Sequence, residues 1–279
     1  MKMIKWVGGK CILSDWIIDH FHKDYTKMNY VEVFGGAGWV LFKKDRSRLE
    51  VYNDINGNLV NLFRVIRDNY DEFKEKCIWT LHSREMWKES YENIKNNKFE
   101  NDIDRALHTS IMYVQSFSGF GHSWSFNTSD SGRLDWERFI GRLSKIRDRL
   151  KGVQIENLDF TECIKKYDNE NTLFYLDPPY ILDGNEYYKS DFTLKDHKNL
   201  RNLLMEIDGK FILSYYPTDE ILDWYSDYNI FYKETKKWCQ KKSKKDNAIE
   251  ILITNYEEKD MLKNNKQLNI LRWFNDNNR

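Results

Sequence analysis

The stretch Leu173-Phe174-Tyr175-Leu176-Asp177-Pro178-Pro179-Tyr180 constrains the fold more than any other part of this chain. Four successive apolar or aromatic residues without polar alternation read as a strand covered on both faces, as a central parallel strand is. Two prolines then end it. Neither can donate to a sheet ladder, and Pro179 holds Pro178 extended. These are two of only three prolines in the chain, the third being Pro217. The result is a stiff exit that presents the Asp177 carboxylate, two backbone carbonyls and the Tyr180 ring. Open α/β sheets bind ligands at this carboxyl edge.

A second α/β signature lies upstream. Tyr30–Phe34 reads as a strand, Gly35-Gly36-Ala37-Gly38 as a tight turn, and Trp39-Val40-Leu41-Phe42 as the onset of a helix. The next strand, Leu49–Asn53, ends in Asp54, where a carboxylate can accept hydrogen bonds from a ribose diol. Strand, glycine turn and acid point to an adenosine-containing cofactor. The third glycine of a dinucleotide fold is missing, which counts against NAD or FAD. Before this unit, Trp6-Val7-Gly8-Gly9-Lys10 offers a glycine-flanked lysine, a cradle for phosphate or carboxylate. The following helix is expected to bury Ile12, Leu13, Trp16, Ile17 and Phe21 on one face.

Residues 58–152 break the βαβ alternation. Helices are expected from Leu59 to Ile66 and around Ile103–Phe117. Between later elements lies Ser116–Asn127, rich in Gly, Ser and aromatic rings suited to base contact. Arg133, Arg138, Arg142, Lys145, Arg147, Arg149 and Lys151 then meet only Asp135, Glu137 and Asp148 on a helix, a candidate phosphate-contacting face. With 44 basic and 44 acidic residues the chain has no net charge, so any nucleic-acid contact must come from such local faces.

Alternation resumes with strands at Val153–Leu158, Thr172–Leu176, Phe211–Tyr215 and Asn229–Tyr232, and helices at Leu194–Ile207 and Ile221–Tyr225. In the last strand, Ala248–Asn255, Ile249, Ile251 and Ile253 alternate with Glu250 and Leu252. Six lysines within residues 236–245, Lys241, Lys242, Lys244 and Lys245 among them, sit between two strands expected to form an edge hairpin. They can reach phosphate or guard the edge against aggregation. The exit loop Ile181–Ser190 is a candidate lid. Four scattered cysteines (Cys11, Cys77, Cys163, Cys239) show no metal-ligand spacing, so no metal site is expected, and they suit a reducing cytoplasm. No run approaches 18 apolar residues, so no membrane span is expected.

An acceptor cluster beside a ring suits an exocyclic amine on a flat base. The two N–H groups can meet the Asp177 carboxylate and the Pro178 carbonyl while Tyr180 stacks. S-adenosylmethionine would supply a methyl group for in-line displacement, and positioning alone can lower a barrier by roughly 7–11 kcal/mol. A base in a duplex must first be turned out of the stack.

From Trp6 to Asn255 the chain resembles the Dam-like (D12 class) DNA adenine-N6 methyltransferases of bacteria and their phages. The motifs come in that family's order: Trp6-Val7-Gly8-Gly9-Lys10, Glu32-Val33-Phe34-Gly35-Gly36-Ala37-Gly38, Asn53-Asp54-Ile55-Asn56 and Asp177-Pro178-Pro179-Tyr180. The resemblance implies a Rossmann-like S-adenosylmethionine-dependent methyltransferase sheet with an inserted, mostly helical target recognition domain. Catalytic residues are then Asp177, Pro178 and Tyr180. Trp6, Lys10, Phe34, Gly35, Gly36, Gly38, Asp54 and Asp177 are the expected cofactor residues. Arg133, Arg138, Arg142 and the lysines at 241, 242, 244 and 245 are expected on DNA. The expected division is a catalytic domain of 1–57 plus 153–258, a recognition domain of 58–152 and a tail of 259–279. Double-stranded DNA is the expected partner, with an accompanying restriction endonuclease and a monomer or weak dimer also in view. Cytosine-N4, RNA-adenine or glutamine methylation are the near alternatives; glutamine modifiers carry Asn where this chain has Asp177. A catalytically silent DNA-binding protein and an NAD oxidoreductase are more distant.

Overall fold

The computed structural model describes residues 4, 6, 8–119, 121–125, 131–180, 192–236 and 247–262. Among these, the elements run α1 (Ser14–Asp19), β1 (Asn29–Glu32), β2 (Leu49–Asn53), α2 (Gly57–Asp68), α3 (Tyr70–Trp79), α4 (Arg84–Lys95), α5 (Asp102–Val114) and α6 (Ser131–Leu150). They continue with β3 (Val153–Glu156), α7 (Phe160–Tyr167), β4 (Thr172–Leu176), α8 (Leu194–Glu206), β5 (Lys210–Tyr215), α9 (Asp219–Trp224), β6 (Asn229–Lys236) and β7 (Asn247–Thr254). The strands form a seven-stranded sheet ordered β3-β2-β1-β4-β5-β7-β6. The architecture is mixed α/β with a mostly parallel sheet, as a Rossmann-like methyltransferase requires.

The chain divides into two compact units: 1–14, 34–44 and 49–163 in the first, and 15–33, 45–48 and 164–279 in the second. In the first, β2 pairs parallel with β3, and α2 to α6 fill the long segment between them. Sequence dictates this packing. Leu59, Leu62, Phe63 and Ile66 of α2 are buried, as are Trp136, Phe139, Leu143, Ile146 and Leu150 of α6, a stripe at helical spacing. Two indoles in this core are satisfied: Trp136 Nε1 donates to the Cys77 carbonyl and Trp87 Nε1 to that of Met112, each at 3.1 Å. In the second unit β4 lies between β1 and β5, parallel to both, and all five of its residues are buried. β7 pairs antiparallel with β5 and with β6, so the expected edge hairpin is present. The lysine loop it carries lies outside the described residues.

Several local expectations are corrected. No helix follows the glycine turn. Residues 39–43 are consecutive turns, with the Phe42 amide on the Gly38 carbonyl at 2.9 Å and the Lys44 amide on that of Val40 at 3.0 Å, and Val40, Leu41 and Phe42 are all buried. The Leu41 carbonyl is taken instead by Arg149 at 2.7 Å. Helix α1 begins only at Ser14, which leaves Ile12 67% exposed and Trp16 half-buried, while Leu13, Ile17 and Phe21 are buried as expected. The alternation in β7 does not sort residues into inside and outside. Flanked by strands on both sides, it buries Glu250 together with Ile251, Leu252 and Ile253, and exposes Ile249. Leu203 and Ile207 are half-buried rather than core, while Leu200 and Leu204 are core. Helices α3, α4 and α7 have polar surfaces rich enough to hide their short apolar stripes from inspection.

A buried ion cluster fixes the first unit. The Glu50 carboxylate on β2 receives both guanidinium nitrogens of Arg149, at 2.6 and 2.7 Å, and the Lys44 ammonium. Burial pushes the Glu50 carboxyl up, but the Arg149 hydrogen bonds and the Lys44 charge outweigh it and hold the group below its ordinary value. Its contribution to stability is therefore complete above the unfolded carboxylate range and lost as pH falls through the lower folded value. Glu50→Gln should leave two cations without their carboxylate and destabilise the protein by about 3–5 kcal/mol. A urea titration would read this as a lower midpoint at unchanged slope, and the variant should lose part of the wild-type acid dependence.

Candidate active site

In the first unit, the glycine turn is built around Asp54. The amide of Gly35 donates to the Asn53 carbonyl at 2.8 Å, carrying the chain past the end of β2. The Gly36 amide then donates to Asp54 Oδ2 at 2.6 Å, and the Asn56 amide to Oδ1 at 2.7 Å. Burial raises the Asp54 carboxyl, and those two amides act to lower it. Each carboxylate oxygen thus holds one backbone donor and retains a second lone pair for a hydroxyl. Gly36 and Gly38 have φ of +49° and +66°, the left-handed region where glycine is unstrained.

Trp6 lies against this turn. A Cβ on Gly36 would stand 3.0 Å from its indole nitrogen, and its ring centroid is 4.8 Å from that of Tyr113 on α5. Burial pushes the Tyr113 hydroxyl up to about 12. Phe34 stacks on Phe160 at 5.8 Å. Lys10 is buried, its ammonium 3.3 Å from the Gly8 carbonyl and its own carbonyl receiving the Ser14 amide at 2.7 Å. Trp6, Lys10, Phe34, the three glycines and Asp54 all belong to this unit. Tyr113 joins them without having been singled out in the sequence, since it falls within no motif, and Asn56, the last residue of the Asn53–Asn56 motif, joins through its amide.

In the second unit, β4 ends at Leu176, and Asp177 leaves the sheet half-buried with Pro178 buried behind it. The Tyr180 hydroxyl donates to Asp177 Oδ1 at 2.9 Å. It also meets Ser214 Oγ at 2.8 Å, and Glu250 Oε2 lies 3.5 Å away. Burial, then the charges of Asp177 and Glu250, hold the Tyr180 hydroxyl well above the ordinary tyrosine range, so it remains a donor. The Tyr180 ring stands edge-on to Tyr216 at 4.6 Å and tilted to Tyr215 at 5.7 Å. Next door, Tyr30 donates to the buried Glu32 at 2.7 Å, and the Tyr175 hydroxyl is buried without a hydrogen-bond partner. Ser214 and Glu250 are additions to the sequence-based set. A single acid inside the apolar run Ile249–Ile253 was the available signal for Glu250.

The basic helix is less uniform than its sequence. Arg149 is committed to Glu50, Arg147 lies over the Tyr70 ring at 4.7 Å and Lys151 pairs with Asp148 at 2.7 Å. Arg142 is half-buried, with burial lowering its guanidinium. Arg138 is exposed and 3.7 Å from Asp135, and Lys145 is exposed. Arg133 lies in α6, its side chain outside what is described, as are Lys241, Lys242, Lys244, Lys245 and the candidate lid 181–190. The Ser116–Ser125 segment folds back on itself through a Ser116–Trp124 bridge and a Phe117 amide bond to Ser123 at 2.9 Å. Phe117 is exposed, and the Arg84 guanidinium covers the Trp124 ring at 4.8 Å.

Residues 6–238 match the family model for D12 class N6 adenine-specific DNA methyltransferases. The chain belongs to that family. It is therefore an enzyme that methylates adenine in DNA at N6, drawing on a methyl donor. It is 28% identical to the Type II methyltransferase M1.LlaDCHI of Lactococcus lactis subsp. cremoris over 90% of this chain and 94% of that one. It is 26% identical to the Type II methyltransferase M.MjaIII of Methanocaldococcus jannaschii, covering 91% and 98%. To the DNA adenine methylase of Escherichia coli K12 it is 23% identical, covering 80% and 83%. Among the described residues no helix is long and apolar enough to cross a membrane.

The glycine turn has no room to change. A Cβ on Gly35 would enter the Tyr52 ring, which is fully buried and stacked on Phe63 at 4.1 Å. Gly35→Ala should therefore cost about 1–3 kcal/mol of stability through overpacking. It should also displace the Gly36 amide from Asp54, which a lower melting temperature together with weakened binding of the methyl donor would report.

Proposed function

We propose that the chain transfers a methyl group from S-adenosylmethionine to N6 of an adenine turned out of duplex DNA, at a specific site, with Asp177 as the acceptor that orients the amine. The observation that carries this reading is the Asp177 carboxylate at a proline-locked strand exit, held by the Tyr180 hydroxyl, in a chain of an N6-adenine family. When bound, S-adenosylmethionine supplies the electrophilic methyl carbon. The residues present fit it. Asp54 keeps lone pairs for a ribose diol, Trp6 and the neighbouring Tyr113 offer aromatic surface to its adenine, and Lys10 suits its carboxylate. Phe34, Gly35, Gly36 and Gly38 complete the cofactor set, with Asp177.

Asp177 and the Pro178 carbonyl accept the two N–H donors of the target amine. This directs nitrogen electron density out of the base plane, while the Tyr180 ring contacts the base. Fixing the amine in this way is the main catalytic contribution of these groups. Residues 58–152 act as the target recognition domain, 1–57 plus 153–258 as the catalytic domain, and 259–279 as a tail. Arg133, Arg138, Arg142, Lys241, Lys242, Lys244 and Lys245 contact phosphate. A place beside a restriction endonuclease is favoured by the Type II names of two relatives, and the enzyme works in the cytoplasm as a monomer or weak dimer.

Expression in cells devoid of adenine methylation, followed by modification-sensitive sequencing, should reveal N6-methyladenine at one sequence. Its absence from all adenines would reject the reading. Asp177→Ala should reduce transfer by about 10²–10³-fold, as loss of one preorganised polar group does elsewhere. Neutralising Lys241, Lys242, Lys244 and Lys245 together should reduce the salt slope of DNA binding by up to about 4. An unchanged slope would remove the loop from the interface.

A further inference from the structure

We infer that α4 is a second phosphate-contacting face of the helical segment, on which Arg84, Lys88 and Lys95 seat duplex DNA beside the Ser116–Ser125 loop. The inference rests on the reading of residues 58–152 as the part of the chain that meets the target. By net charge α4 carries no signal, because its three cations are matched by Glu85, Glu89 and Glu92. Folding separates the two signs. At about 3.6 residues per turn, Arg84, Lys88, Tyr91 and Lys95 fall within an arc of about 60° around the helix axis. The three glutamates share a neighbouring arc, and all six charged side chains are exposed.

This arrangement gives up helix stability. Arg84 stands four residues before Lys88 and Glu85 four before Glu89, a spacing at which like charges repel and opposite charges would attract. Among the described residues no acid pairs with Arg84, Lys88 or Lys95. Glu92 receives the side-chain amide of Asn96 at 3.4 Å instead.

The cationic arc adjoins the loop at both ends. The Arg84 guanidinium covers the Trp124 ring at 4.8 Å, a stacking that leaves its in-plane N–H groups for a phosphate. Towards the other end, a hollow of about 180 Å³ is lined by Tyr91 and Lys95, by Tyr113 of α5, and by Gly121 and His122 of the loop. Between them, buried Trp87 stacks on Tyr91 at 5.5 Å and donates to the Met112 carbonyl, which holds α4 against α5. The sequence of residues 116–125 contains no acid to oppose an anion, and His122 is exposed. From Arg84 to Lys95 the helix rises about 16 Å, a length over which a DNA strand presents several phosphates. A partner charged along its length, with flat groups for neighbouring rings to meet, is what this face fits, and a nucleic-acid strand has that chemistry.

The test is binding of an unmethylated duplex of mixed sequence to the full-length protein over a series of salt concentrations. Arg84→Gln, Lys88→Gln and Lys95→Gln together should reduce the salt slope by about 2–3, since each phosphate contact contributes about 0.9. Arg84→Lys, Lys88→Arg and Lys95→Arg together keep the charges and should keep the slope. Glu85→Gln, Glu89→Gln and Glu92→Gln together change the net charge by as much in the opposite sense and should leave the slope as it is. An unchanged slope in the cation triple variant overturns the inference. So does an acid triple variant that steepens the slope as much as the cation variant flattens it, because binding would then follow net charge and not this face. Should the cation triple variant lose its wild-type circular dichroism, the three single variants decide, each expected to lower the slope by about 0.9 and overturning the inference if none does. A wild-type protein that binds no duplex would instead refute the DNA reading beneath it.

Discussion

The parallel pairing of β4 with β1 and β5 is the constraint on which the second unit depends. Each partner is fixed in register, Glu32 opposite Tyr175 and Leu176 opposite Leu213, so the carboxyl ends of the strands finish at one level. Burial of every residue of β4 leaves both faces closely packed, so a slip of one position would force each side chain into space shaped for another. The prolines then stop the ladder at this level, and whatever polar groups follow must find partners outside the sheet. That requirement produces the local hydrogen bonding. Tyr30 serves Glu32, and Tyr180 serves Asp177 while meeting Ser214.

The protein holds buried carboxylates in two ways, and the difference separates scaffold from site. Glu50 is neutralised by a guanidinium and an ammonium, which occupy its oxygens with charged donors. Such a group has little left to give a ligand, and it ties β2 to the turn at Leu41 and to α6. Asp54 is held by two backbone amides, and Asp177 receives a tyrosine hydroxyl. Neutral donors fix geometry without cancelling charge. Held so, each oxygen of Asp54 keeps a second lone pair as an acceptor for a hydroxyl.

Much of this was legible in the sequence because the responsible signals are local. The Asp177-Pro178-Pro179 exit needs only proline chemistry, and the Gly35–Gly38 turn only the conformational freedom of glycine. Helix α2 announces itself through Leu59, Leu62, Phe63 and Ile66. The failures share a different cause. The Leu41 carbonyl, in a stretch expected to open a helix, is taken by Arg149, more than a hundred residues away. Whether Glu250 faces solvent is decided by β5 and β6 closing on both sides of β7. Ser214 and Tyr113 carry no motif, and only the fold brings them to Tyr180 and Trp6. Period and composition describe a segment's own preference, and these positions answer to distant partners.

The basic helix shows the same limit for charge, with a consequence for how the enzyme meets DNA. Counted along the chain, residues 133–151 look strongly cationic. In the fold Arg149 neutralises Glu50, Arg147 covers a tyrosine ring and Lys151 answers Asp148. The exposed cations with described side chains in the first part of that stretch reduce to Arg138 and Lys145, and Arg138 has Asp135 nearby. A pair or two of phosphate contacts contributes only a shallow salt dependence, since each released counterion adds about 0.9 to the slope on B-DNA. In a chain with no net charge, the six lysines in residues 236–245 are another dense run of positive charge. Under the proposed phosphate contacts, the lysines of that run outnumber the exposed cations of the helix.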